Sequence, residues 1–177
     1  MVITGSGGKR IEAATCCCGE CTDLIFDNSS PGELLDDGGI FCEGALCDYG
    51  PWSAAVLRLG DASIGSYACT KQFCGLLPNR LYYVRIYGKL DDDVGNSKST
   101  TLSLTIGTAT LSLNQAAGPG PSGPCTPAYC QMAEGVVTTD EDGCVEGSGS
   151  AVNGEDTDMG ENPIICEVHF LCEDPNA

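Results

Sequence analysis

The chain has 177 residues, including 24 Gly, 13 Cys and 25 acidic residues, and its net charge is −17. This acidity excludes nucleic acid as a partner, because binding phosphate requires a basic surface. Hydrophobic residues make up 42% of the chain and charged residues only 19%, which excludes global disorder and favours short strands and tight turns over long helices.

The charge is unevenly distributed. All eight Lys and Arg residues lie between Lys9 and Lys98, whereas residues 99–177 contain 12 of the 25 acidic residues. A cationic partner, a divalent ion or a basic protein surface would complement this charge. A solubilising surface charge explains the same distribution, so both interpretations stay open.

Residues 1–22 form a predicted Cys-rich arm. Cys16, Cys17, Cys18 and Cys21 lie in it, and the last two have a C-x-x-C spacing. Three or four thiolates could close a tetrahedral zinc site, although no second pair shows this spacing. The arm shows no apolar signal segment, and no run of the sequence is apolar for long enough to insert into a membrane.

A predicted β-sandwich domain follows over residues 23–115. Short apolar or alternating runs predict its strands at 23–27, 53–59, 66–74, 81–87, 100–106 and 108–113. Clusters of Gly, Asn, Asp and Pro separate these runs. Strands with such spacing and such turns are typical of a β-sandwich or a barrel.

The remainder of the chain is predicted to hold less regular structure. Residues 116–124 are rich in Pro and Gly and are predicted to form a linker. Residues 125–177 are interpreted as an acidic, Cys-rich extension or a small β subdomain. Within them we expect strands at 135–139 and 164–171, separated by a long acidic loop over 140–160.

One stretch of the sandwich is specific enough to suggest a family. Its matching positions are Gly75, Leu76, Pro78, Tyr82, Val84, Arg85 and Ile86. The pattern resembles the corner between strands E and F of fibronectin type III domains. The resemblance implies an immunoglobulin-like sandwich over roughly residues 20–107, in which Tyr82 buries its ring and hydrogen-bonds the backbone upstream as a tyrosine corner.

The cysteines predict disulfides, and with them an oxidising environment, because reducing cytosol seldom supports so many. The candidate pairs by spacing are Cys42 and Cys47, Cys69 and Cys74, Cys125 and Cys130, and Cys166 and Cys172. Local bridges within these pairs are the simplest interpretation, but cross-pairing is equally allowed. Because 13 is odd, at least one Cys is free, bound to metal or joined to another chain.

Candidate chemistry beyond disulfides is sparse. Weak candidates for calcium ligands are Asp91, Asp92, Asp93, Asp156 and Asp158, which lack the spacing of an EF-hand. His169 is the only histidine, and no nucleophile elbow, phosphate-binding loop or H-E-x-x-H motif is present. We therefore predict no catalytic residue and no cofactor other than zinc or calcium.

These observations predict a non-enzymatic structural or interaction protein of a virion or the extracellular space. The favoured hypothesis is a phage decoration or tail protein that binds other subunits of its assembly, as a homo-oligomer or within a larger particle. The alternatives are a secreted adhesion or binding module, and a metal-binding protein that uses Cys or acidic loops.

Overall fold

A computed structural model describes residues 20–26, 34–36, 40–41, 56–59, 64–90, 100–115, 130–154 and 163–177. In these ranges the chain forms eleven β-strands, and none of them contains a helix that could cross a membrane. The strands are β1 (Leu24–Phe26), β2 (Leu34–Asp36), β3 (Ile40–Phe41), β4 (Leu57–Leu59), β5 (Gly65–Cys74), β6 (Leu81–Lys89), β7 (Thr100–Ile106), β8 (Ala109–Gln115), β9 (Cys130–Thr138), β10 (Cys144–Asn153) and β11 (Ile164–Leu171).

The strands form two antiparallel sheets. Sheet A has the order β3-β4-β11-β6-β9, and β1 also pairs with β11. Sheet B has the order β2-β5-β10-β7-β8. The predicted all-β sandwich is thereby confirmed, whereas the pairing does not single out the fibronectin type III subtype.

The core lies between the sheets and is built by strand alternation. In β7 the side chains of Leu102, Leu104 and Ile106 are buried, while the Thr and Ser residues between them are partly exposed. Aromatic rings from both sheets meet at one end of this core. Phe73 of sheet B packs edge-on against Phe26 of sheet A, with ring centroids 5.1 Å apart, a geometry that aromatic pairs favour.

The corner between β5 and β6 has the geometry expected of a tyrosine corner. Gly75 turns the chain with a φ of 97°, in the left-handed region that favours glycine. Leu76 is buried, whereas Pro78 lies exposed in the turn. The ring of Tyr82 is 1% exposed, and its hydroxyl accepts a hydrogen bond from the backbone N–H of Leu77 at 3.0 Å. This corner fixes where β6 begins and which of its residues face outward.

The long acidic loop predicted over residues 140–160 is wrong in its first half. Cys144–Asn153 is a strand, β10, which lies between β5 and β7 in sheet B. Its inward positions include small residues because side chains of the neighbouring strands β5 and β7, and Leu57 of the opposite sheet, leave no space for larger ones. A Cβ atom added at Gly149 would lie 2.8 Å from Cys69 Sγ and 2.9 Å from Leu57 Cδ2. The Gly and Ser content that suggested a loop therefore reflects close packing.

The division of the chain at residue 124 also needs correction. β10 pairs with β5 and β7, and β11 pairs with β1, β4 and β6, so strands after residue 125 complete both sheets. The described strands of the predicted extension, β9, β10 and β11, are therefore part of the sandwich rather than a separate subdomain. The predicted linker and most of the predicted N-terminal arm lie outside the described residues.

Candidate functional site

The middle of sheet A presents a row of large side chains on its outer surface. β6 buries Tyr82, Val84 and Ile86, so the alternating residues between them point away from the core. Tyr83 and Arg85 are two of these residues, and both are half-buried. The third, Tyr87, completes a row of two phenol rings and one guanidinium.

Two neighbouring strands extend this row sideways. On one side, β11 places Glu167 opposite Tyr87 and His169 opposite Arg85. On the other side, β9 places Glu134 opposite Arg85. We call the outer surface of these three strands the aromatic face, and it consists of Tyr83, Arg85, Tyr87, Met132, Glu134, Val136, Glu167, His169 and Leu171.

A hydrogen-bonded ion pair lies at the centre of the aromatic face. Arg85 Nε donates to Glu134 Oε1 at 2.6 Å, and both side chains are partly exposed. This hydrogen bond raises the pKa of the Arg85 guanidinium above its ordinary value, so the group keeps its charge. The second carboxylate oxygen of Glu134 accepts a hydrogen bond from Asn176 Nδ2 at 3.2 Å. The guanidinium is therefore held in one orientation before any ligand arrives.

The histidine of the chain belongs to the same face. The rings of His169 and Tyr87 have centroids 4.8 Å apart, and His169 Nε2 lies 2.8 Å from Glu167 Oε2. A carboxylate and a phenol ring thus fix the imidazole between them. This arrangement gives the face two neighbouring rings, tilted by 53° to each other, beside a hydrogen-bonding acceptor.

Exposed apolar side chains lie at the margin of the aromatic face. Met132 of β9 is 48% exposed, and Ile25, which pairs with His169, is 56% exposed. Tyr, Arg and Met are enriched where proteins bind other proteins. The face therefore combines an oriented charge, aromatic rings and exposed apolar area.

Two grooves lie beside the aromatic face, where residues 172–177 follow β11. A narrow groove of about 240 Å³ lies between the face and this segment, and its walls include Tyr83, Glu134, Asp174 and Pro175. A wider groove of about 630 Å³ lies on the other side of Asp174 and Pro175. Asp23, which lines the wider groove, accepts the backbone N–H of Cys172 through Oδ1 at 2.8 Å.

The outer face of sheet B has a different chemistry. Small hydroxyl side chains dominate it, and some pair across strands, with 2.7 Å between the hydroxyls of Ser103 and Ser112. Among its described outward-facing residues on β5, β7, β8 and β10, only Glu146 is charged. The outer face of sheet A thus carries aromatic and charged side chains, whereas the outer face of sheet B carries small side chains with hydroxyl groups.

The two disulfides between described cysteines link segments that are distant in the sequence. Cys74 bridges Cys144, which lies directly opposite it in sheet B, and Cys21 bridges Cys172. Local bridging is therefore wrong for the pair Cys69 and Cys74, because both lie in one extended strand. Five residues of strand span roughly 17 Å, far more than a disulfide allows.

Local bridging is also wrong for the pair Cys166 and Cys172. Cys166 is disulfide-bonded, but Cys172 is bonded to Cys21. Cys130 begins β9, and the remaining disulfide candidates, Cys42, Cys47 and Cys125, lie outside the described residues. Their pairing stays a prediction.

Most residues of the metal-site predictions lie outside the described residues, and Cys21, the one described cysteine of the N-terminal cluster, is bound to Cys172 in a disulfide. The clusters Asp91, Asp92, Asp93 and Asp156, Asp158 lie outside the described residues, as do Cys16, Cys17 and Cys18. Within the described ranges, no three His, Cys, Asp or Glu side chains are placed so that they could hold a metal ion. Zinc and calcium binding stay predictions.

The chain matches no protein-family model and no curated protein. Among solved structures it is similar to the CBM22-2 xylan-binding domain from Paenibacillus barcinonensis Xyn10C, with 11% identity, a TM-score of 0.43, and coverage of 85% of this chain and 99% of that one. It is also similar to CBM35 from Cellvibrio japonicus Abf62, with 14% identity, a TM-score of 0.41, and coverage of 85% and 93%. A third similar structure is a family 35 carbohydrate binding module from Clostridium thermocellum, with 9% identity, a TM-score of 0.38, and coverage of 86% and 99%.

Proposed function

We propose that this chain is a non-catalytic binding module of an oxidising, extracellular environment, and that it binds a protein partner through the aromatic face. The observation that carries the proposal is the outward row of Tyr83, Arg85 and Tyr87 in the middle of sheet A. Tyr and Arg are the residue types that, with Trp, dominate the binding energy of protein interfaces.

The orientation of Arg85 supports this assignment. Its guanidinium is already bound to Glu134, so less side-chain entropy is lost when a partner contacts it. The apolar side chains of Met132 and Ile25 lie at the margin of the aromatic face and would help to exclude water from the charged pair once a partner covers the face. Such a margin raises the binding energy of a central hot spot.

The disulfides support the compartment. Cys21 and Cys172 are separated by 151 residues, and Cys74 and Cys144 by 70, so both bridges join parts of the chain that are distant in sequence. Stable bridges of this kind are typical of secreted proteins and of virion surfaces. A phage decoration or tail role, assembly with identical subunits and a fibronectin type III-like subtype of the sandwich remain finer hypotheses within this proposal.

A neutral carbohydrate is the second candidate ligand. The paired rings of Tyr87 and His169, beside the Glu167 carboxylate, would offer a stacking surface next to acceptors for sugar hydroxyls. A protein partner remains the first candidate because Met132 and Ile25 extend the face with exposed apolar area.

The test compares two surface variants against panels of immobilised extracellular proteins and glycans. The variant Arg85→Ser/Tyr87→Ser removes the centre of the aromatic face, and the matched control Thr110→Ala/Ser112→Ala changes the outer face of sheet B. We expect ligands of the wild-type chain to lose at least tenfold in affinity to the first variant and to bind the control unchanged. A ligand that is lost only by the sheet B variant would contradict the proposal.

A further inference from the structure

We infer that the two grooves on either side of Asp174 and Pro175 form a docking site for a basic protein segment, with a Lys or Arg side chain entering each groove. We call this the acidic cleft, and its polar groups are Asp23, Glu134, Glu173, Asp174 and Asn176, with the ring of Tyr83. The inference deepens the proposed function and rests on it, since the cleft borders the aromatic face at Tyr83 and Glu134.

The narrow groove combines an aromatic ring with a carboxylate. Tyr83 forms one wall and Asp174 another, while Glu134 is already engaged by Arg85 and Asn176. Asp174 Oδ1 accepts the backbone N–H of Asn176 at 2.9 Å, and in the described part of the chain its other oxygen has no partner. A ring beside a carboxylate attracts an ammonium or guanidinium group through both charge and the π-face.

The wider groove adds negative charge on the other side of the same ridge. Its lining includes the carboxylates of Asp23, Glu173 and Asp174, and no Lys or Arg lines either groove among the described residues. Arg85 offsets the charge of Glu134, to which it is bound, so the local negative charge comes from Asp23, Glu173 and Asp174. The complementary partner is therefore cationic.

The geometry of the two grooves favours two separate organic cations over a single metal ion. The ridge of Asp174 and Pro175 divides the carboxylates between two grooves, so they do not converge on one point as ligands of a single metal ion do. Lys and Arg have long stems that place their charged groups apart from the backbone. An extended segment lying across the ridge would place one such side chain on each side.

A disulfide holds the ridge in place. Cys172 begins the segment that carries Asp174, and its bond to Cys21 ties that segment to the chain three residues before β1. The hydrogen bond from the Cys172 backbone to Asp23 brings an acidic wall of the wider groove to the same point. We therefore expect the acidic cleft to require this bridge, and to be independent of the bridge between Cys74 and Cys144.

The first test is a titration of the isotope-labelled full chain with tetralysine at low ionic strength, followed by NMR. We expect shifts of the Asn176 side-chain amide and of Tyr83, and we expect fully acetylated tetralysine to cause none. Asp174→Asn keeps the acceptor for the Asn176 backbone but removes the charge, so it should weaken tetralysine binding about fivefold. Asp142→Asn makes the same charge change in the exposed turn before β10 and should leave binding unchanged.

The outcomes separate the two proposals. If Asp174→Asn and Asp142→Asn weaken tetralysine binding equally, tetralysine is attracted by net charge alone and the acidic cleft is overturned. The cleft is also overturned if calcium shifts the same resonances at a lower concentration than tetralysine does. Cys21→Ser/Cys172→Ser should lose tetralysine binding, whereas Cys74→Ser/Cys144→Ser should keep it. Arg85→Ser frees the Glu134 carboxylate of the cleft, so Arg85→Ser/Tyr87→Ser should keep or strengthen tetralysine binding. If this variant also keeps every partner, the aromatic face fails as the binding surface while the cleft stands.

Discussion

The hydroxyl of Thr139 donates a hydrogen bond to the carbonyl oxygen of Leu77 at 2.6 Å, across 62 residues of sequence. The same hydroxyl accepts the backbone N–H of Arg80 at 2.9 Å, and Tyr82 accepts the backbone N–H of Leu77. Both polar groups of the Leu77 backbone are therefore bound by side chains. The corner at the start of β6, which orients the aromatic face, is held by these contacts.

Replacing Thr139 by Val should destabilise the fold. Val has the shape of Thr but leaves the Leu77 carbonyl and the Arg80 N–H without their partner at a position that is 3% exposed. We expect a loss of about 1–3 kcal/mol in the free energy of unfolding, measured by urea denaturation. Thr138→Val, at the exposed last position of β9, is the control. An equal loss there would show that the hydrogen bonds are not the cause.

Replacing Tyr82 by Phe should have a smaller effect. The ring still fills its place in the core, but the Leu77 N–H loses its acceptor in a partly buried corner. We expect about 1 kcal/mol of destabilisation, seen as a lower denaturation midpoint with an unchanged slope. Tyr83→Phe removes a hydroxyl from the outer face of the next residue, and a loss of the same size in that variant would contradict the role of the corner.

Replacing Gly149 by Ala should strain the centre of sheet B. The added methyl group would lie 2.9 Å from Leu57 Cδ2 and 2.8 Å from Cys69 Sγ, so buried side chains must move. We expect about 1–3 kcal/mol of destabilisation, measured by thermal unfolding. Shortening the neighbour by Leu57→Ala should make the added methyl less harmful, so the two changes should be non-additive.

The control for this pair is Ser150→Ala, which changes an exposed position of the same strand and should be close to neutral. If Gly149→Ala is as mild as Ser150→Ala, the two sheets do not approach each other as closely at β10 as described above.

Removing the bridge between Cys74 and Cys144 should lower stability without changing the fold. The bridge closes a loop of 70 residues, for which the chain-entropy relation gives about 4 kcal/mol. The variant Cys74→Ala/Cys144→Ala, compared with the oxidised wild-type chain by urea denaturation, tests this value. If the reduced wild-type chain is as stable as the oxidised chain, the bridge does not stabilise the fold.

The sequence predicted best where the signal was local. The alternation of Leu102, Leu104 and Ile106 predicted β7, and the strand expected over residues 164–171 is β11. The spacing from Gly75 to Tyr82 lies within one turn and the strand after it, so no distant contact was needed to interpret it. These elements follow from backbone geometry and side-chain alternation alone.

The errors arose where distant packing decides the structure. Gly147 and Gly149 give β10 the composition of a loop, and only the side chains packed over them, from the neighbouring strands β5 and β7 and from Leu57 of sheet A, explain why small residues are needed there. The disulfide partners could not be predicted from the sequence either, because only the register of β5 and β10 places Cys144 beside Cys74. The aromatic face requires the register of three strands, although the alternation of Tyr83, Arg85 and Tyr87 was readable in β6.

The order of the strands in the two sheets has a consequence for biosynthesis. β10 lies between β5 and β7, and β11 lies beside β6, so a ribosome must make about 150 residues before either sheet can acquire its inner strand. Contacts this distant in sequence make folding slow, and they leave the hydrogen-bonding edges of the earlier strands open while the chain grows. While the chain is being synthesised, Cys74 therefore exists for a time without its partner Cys144. During that time Cys74 can form a disulfide with another cysteine, and correct maturation has to avoid this mispairing.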